Sequence, residues 1–164
     1  MPSTYTPITT TTLGSATNTV TFSSISGSYT DLVCIMNLGV TTDGYAPRIR
    51  FNSDTGSNYS DTIVSGNGSA ASSERHSSAT SIVGSSTGYN SNSLSNTFIF
   101  SVNNYANTTT YKTAIGRSSS STNEAAAFVG LWRSTAAINS ITIFIGAGNF
   151  MANSTFTLYG IKAA

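Results

Sequence analysis

The sequence is short of most of what protein chemistry is usually made from. Only 8% of its 164 residues are charged, seven Lys and Arg against six Asp and Glu, where a soluble domain averages about a quarter. It holds one cysteine, one histidine, one tryptophan and three prolines. Each shortage excludes something. With Cys34 alone, no intrachain disulfide can form. The thiol sits in the apolar run Leu32-Val33-Cys34-Ile35-Met36, where it acts as a small buried hydrophobe rather than a nucleophile. No His/Cys/carboxylate group has ligand spacing, so no transition metal and no cofactor is expected. The net charge is +1 and the cations are scattered singly, which argues against nucleic acid as a partner. No apolar stretch approaches the roughly 18 residues of a membrane helix, so no membrane partner is expected.

What the chain has instead is hydroxyl. With 29 Ser and 26 Thr, a third of it is Ser or Thr, and water must be met by hydroxyls and amides. The apolar fraction of 38%, with eight Phe and eight Tyr, suffices for one core at this length, since such a domain buries roughly 70% of its unfolded surface.

The dominant period is two. Val20 and Phe22 alternate with threonines; Phe98, Phe100 and Val102 share one face, as do Ile141, Ile143 and Ile145, and Phe156 and Leu158. Further strands are expected at 31–38, 47–52, 59–64, 110–116 and 125–133. The 31–38 run is apolar on both faces, as for a strand in the middle of a sandwich. Glu124-Ala125-Ala126-Ala127 has helical propensity, but Phe128 to Trp132 follows directly and favours strand. Asp43-Gly44 and Asn67-Gly68 mark turns that need positive φ. The pattern predicts an all-β chain: a single antiparallel β-sandwich, jelly-roll-like, of about nine to ten short strands. Residues 14–164 would form the sandwich domain. Residues 1–13 read as an extended N-terminal arm or as the first strand. Residues 65–96 read as a long polar loop, either a surface insertion or a segment that orders against a partner.

Few groups invite a chemical reading. Asp54-Thr55-Gly56-Ser57 carries the D-T-G-S of aspartic proteases, but that chemistry needs two such carboxylates, and one copy is present. A turn in which Asp54 caps backbone amides and Gly56 takes positive φ is the simpler reading. His76 would have to be the base of any Ser–His–Asp arrangement, yet no neighbour in sequence buries or orients it. Asp54 and Asp61 flank an oxygen-rich loop without calcium-loop spacing. Gly146-Ala147-Gly148 lacks the third glycine and the helix of a dinucleotide loop. Arg48 and Arg50 share one strand face, expected to be solvated. Trp132 is expected in the core or at a subunit contact. The four N-x-S/T sequons, at Asn58, Asn67, Asn107 and Asn153, are chance products of the composition. No catalytic, cofactor-binding or metal-binding residue is assigned, and the chain is expected not to be an enzyme.

Met1-Pro2-Ser3-Thr4-Tyr5 has neither the basic start nor the apolar run of a secretion signal. A hydroxyl-rich β surface without secretion suits a particle component made in the host cytoplasm and released by lysis. Several segments carry a resemblance in that direction: Arg48-Ile49-Arg50-Phe51-Asn52 followed by DTGSNYS, NTTTYKT at 107–113, WRSTAAINSITIF at 132–144 and STFTLYGIKAA at 154–164. The sequence resembles small virion structural proteins of tailed bacteriophages of marine bacteria and cyanobacteria. That resemblance implies a capsid decoration (cement) protein, binding the major capsid protein and itself as a homotrimer, with a tail fibre, adaptor or receptor-binding domain for host surface glycan as the alternative. It brings no catalytic residues with it.

Overall fold

Strands form wherever apolar and hydroxyl side chains alternate, because that pattern hides one face of a pleated ribbon and wets the other. The computed structural model describes residues 4–86, 94, 96–120 and 124–162. In chain order the strands are β1 (Tyr5–Thr12), β2 (Thr19–Phe22), β3 (Asp31–Leu38), β4 (Pro47–Phe51), β5 (Tyr59–Gly66), β6 (Ala71–Ala79), β7 (Ile82–Val83), β8 (Asn96–Asn103), β9 (Lys112–Ser120), β10 (Glu124–Trp132), β11 (Ile141–Ile145) and β12 (Thr155–Ile161). No helix occurs among the described residues, and Glu124–Trp132 is strand from its first residue.

Two antiparallel sheets pack face to face. The larger runs β1-β12-β3-β8-β9-β10-β5-β6 and the smaller β2-β11-β4-β7. The pairings are nested: β1 with β12, β2 with β11, β3 with β8 and β4 with β7. Eight strands that pair first with last and inward from there form the wrap of a jelly roll. The remaining four, β5–β6 and β9–β10, are hairpins inserted into that wrap. They extend the large sheet beyond β8.

Three expectations change on the structure. Residues 71–79 and 82–83, placed in a long polar loop from sequence, are strands β6 and β7; residues 87–93 and 95 of that loop lie outside the described residues. Those two strands and the pairing of Tyr5–Thr12 with β12 raise the count among the described residues to twelve. The third concerns β3, which is central in its sheet but covered on one face only. Leu32, Cys34, Met36 and Leu38 are buried, whereas Val33 is half-buried and Ile35 exposed.

The core between the sheets joins Phe22, Ile49, Phe51 and Ile143 of the small sheet to Met36, Phe98, Phe100 and Phe156 of the large one. Its seam with the extension is a glycine. Gly116 stands between Phe100 and Phe128 in the strand register, and without a side chain there the Phe128 ring folds across β9. It stacks on Phe98, two strands away, at 5.3 Å and 5° between planes. A Cβ at Gly116 would lie 2.3 Å from that ring. At the far side Gly130 performs the same service for Ile82 of β7.

Candidate functional site

The residues that invited chemistry are occupied in holding the fold. Asp54 sits in the β4–β5 turn. Its Oδ1 accepts the Gly56 amide at 2.8 Å, and its Oδ2 accepts Asn58 Nδ2 at 2.9 Å and Trp132 Nε1 at 2.6 Å. Burial opposes ionisation of Asp54, but the bonds from Trp132, Asn58 and Gly56, with Arg50 nearby, outweigh it and hold the carboxyl below its ordinary value. The left-handed residues of this turn are Asn52 (φ 52°) and Ser53 (φ 56°), not Gly56 as expected from sequence. Beneath the turn, Trp132 stacks on Tyr59 at 6.3 Å and meets Phe51 at 5.6 Å. Burial pushes the Tyr59 hydroxyl up to about 12, and that hydroxyl bonds the Phe51 amide and the carbonyls of Phe51 and Asp54. Trp132 is a core residue.

His76 has the partner that its sequence neighbours did not supply. Asp61 Oδ1 lies 2.7 Å from His76 Nδ1, and Asp61 Oδ2 accepts the Val83 amide at 3.1 Å. The Asp61 side chain is fully buried, while 40% of the His76 side chain is exposed. The pairing places them opposite one another across β5 and β6, beside a register shift at Tyr59/Asp61. One sequence signal pointed to this. Tyr59, Asp61 and Ile63 share strand parity, so a carboxylate stood at a core position and required a buried donor. The pair does structural work: β7 is an edge strand, and its outward amide is satisfied from the other sheet.

Cys34 is fully buried, and burial raises its thiol far above the ordinary value, which leaves it inert. Arg50 donates to the Thr80 carbonyl at 2.9 Å and lies 4.2 Å over the Phe144 ring. Three sequon asparagines, Asn58, Asn67 and Asn107, bond within turns. Gly148 has φ +73° and packs against Thr41 and Thr42 at a corner. Among the described residues no three His, Cys, Asp or Glu side chains gather as a metal site would.

The feature that stands unexplained by packing is the outer face of the large sheet. Outward positions on successive strands read Val33, Ile35, Ile99, Ile115, Val129, Leu131 and Val64. The register sets Ile35 beside Ile99, and Ile115 beside Val129. Val64, Ile115 and Val129 each keep more than half of their surface in water. A shallow recess of about 350 Å³ lies over Val33, Ile35, Ile99 and Ile115, bordered by Tyr5 and Arg117. A second, of about 450 Å³, lies over Val129 and Leu131 beside Arg75 and Arg133. A contiguous apolar band on the wet side of a sheet marks a surface that meets something. The periodicity held this signal as well, in the apolar residues on both faces of 31–36, with β-branched Val33 and Ile35 on the outer one.

No protein-family model and no curated protein matches the chain. Among solved structures, a protein of unknown function from Shewanella oneidensis MR-1 aligns over 98% of this chain and 80% of its own, at 10% identity and a TM-score of 0.24. A likeness that slight carries no argument.

Proposed function

We propose that the chain is a structural protein of a tailed-bacteriophage particle, a decoration (cement) protein that adheres to the outer shell and to copies of itself. The observation that supports this reading is the apolar band across the outer face of the large sheet. It gives a rigid sandwich an adhesive side, while Asp54, Asp61, His76 and Cys34 are committed to the fold. On this reading the partners are the major capsid protein and sibling subunits, a homotrimer being a closed arrangement that leaves no sticky surface over. Linked subunits that bridge several shell proteins turn weak contacts into strong attachment. A net charge of +1 lets many copies crowd one shell with little mutual repulsion. Activity here is adhesion, with no reaction.

The test is the copy number in purified particles, read by quantitative mass spectrometry. Hundreds of copies per particle, together with loss of heat resistance when the protein is stripped, are expected. A handful of copies confined to one vertex would move the protein to the tail, and its absence from particles would end the proposal.

A further inference from the structure

The 450 Å³ recess lies where the apolar band reaches the β5–β6 end of the large sheet; there the band is flanked by charge, and the recess has a volume within the range of small-ligand sites. Its floor is Val129 and Leu131, and its walls carry the hydroxyls of Ser60 and Thr62. Arg75 enters from edge strand β6, directly opposite Thr62 in the register. Arg133 enters from just beyond β10, where its Nη2 donates to Ser60 Oγ at 3.0 Å and is held over the floor. No carboxylate meets either guanidinium: among the described residues the one ion pair is His76–Asp61. Strand parity and bonding explain this. Glu74 lies on the opposite face with buried Ile63, and Asp61, which lines the recess together with His76, keeps its fully buried carboxylate on His76 and the Val83 amide, so the two guanidiniums face no open acid.

We propose that this recess binds an anionic saccharide, its acidic groups taken by Arg75 and Arg133. A guanidinium fork matches a carboxylate or sulfate in plane and can pair with it through two bonds. Ring hydroxyls find partners in Ser60 and Thr62, and the C–H face of a sugar ring lies on Val129 and Leu131. Nucleic acid fits poorly, because two cations cannot match its run of phosphates. The inference stands apart from the shell reading, since copy number in particles can fail while the saccharide binds, and the reverse.

The experiment is titration calorimetry of the full chain with four probes: an oligouronate, a sulfated galactan oligomer, a neutral glucan oligomer and polyglutamate. Binding of the uronate or the sulfated oligomer is expected, and their ranking names the preferred anion. Affinity should fall about tenfold for Arg75→Gln or Arg133→Gln, the loss of one charge-assisted pair, and should weaken with salt. Arg48→Gln on the small sheet should change nothing. Both recess arginines are on the surface, so circular dichroism of the variants should match the parent. Four results would each overturn the proposal: no anionic saccharide bound at millimolar concentration, equal binding of the neutral oligomer, stronger binding of polyglutamate, or undiminished affinity in the double variant.

Discussion

Within the large sheet, the half made of β1, β12, β3 and β8 and the half made of β9, β10, β5 and β6 share one hydrogen-bonded ladder but hide different side chains. The first buries Leu32, Met36, Phe98, Phe100, Phe156 and Leu158. The second buries Tyr59, Ile63, Phe128 and Trp132, but also Lys112, Ser118, Glu124, Asp61 and Ser65. The small sheet explains the contrast, since four strands cannot cover eight. Where a sheet stands opposite, the hydrophobic effect alone suffices. Where the large sheet overhangs, each polar group needs its own partner. Asp61 takes His76 and the Val83 amide; Glu124 takes Ser85 and Ser86; Ser118 donates to the Gly84 carbonyl; Lys112 donates to the carbonyls of Thr110 and Thr135. The extension adds specific bonds to its aromatic packing, whereas the jelly roll is held mainly by bulk.

The contrast can be broken most severely at the seam. Phe98→Ala removes a fully buried ring that stacks on Phe128 and should cost about 4 kcal/mol. Urea unfolding should still show one transition; two would mean that the halves fold separately. Gly116→Ala forces a methyl to within 2.3 Å of the Phe128 ring and 2.6 Å of the Ile99 carbonyl oxygen. It should cost about 2–3 kcal/mol, seen as a lowered Tm. In the extension, Asp61→Ala strands the Val83 amide and should cost about 2 kcal/mol. Amide exchange should accelerate in β6 and β7 before it does in β3, and uniform acceleration would count against the contrast.

Asp54 tests the turn that joins the two sheets. Its folded carboxyl titrates below the ordinary 3.8, so above that value both states are charged and the bonds to Trp132 and Asn58 contribute in full. As pH falls through the lowered folded value, that contribution is lost. The urea midpoint of the parent should therefore drop more steeply below pH 4 than that of Asp54→Asn, and parallel curves would refute the assignment. The smallest effect is expected on the outer face. Ile115→Thr at a half-exposed position should move stability by under about 0.5 kcal/mol while, on the proposed shell-binding role, weakening attachment to particles.

Much of this was legible in the residues. Alternation located β3, β8, β11 and β12 to within a residue or two, because each buries every second side chain against a facing sheet. Asn67-Gly68 and Asp43-Gly44 announced turns in which Gly68 and Gly44 do take positive φ. Strand β6 was invisible for a physical reason. Ala71–Ala79 has no large apolar residue and buries almost nothing; it is strand through its ladder to β5 and the His76–Asp61 bond. The same holds for the recess, since Arg75 and Arg133 are far apart in sequence and a one-residue shift in register would send Arg75 to the other face.

The nested pairing of the jelly roll also governs when the protein can be finished. Its outermost ladder joins Tyr5 to Ile161, so on the ribosome β1 waits without a neighbour until β12 has emerged. Closure of so distant a pair is slow, because the chain between must be ordered before the contact rewards it. A product cut short before β12 would leave β1 and β3 with open edges, and such edges recruit other chains. Truncated copies should therefore collect in aggregates rather than persist as soluble halves.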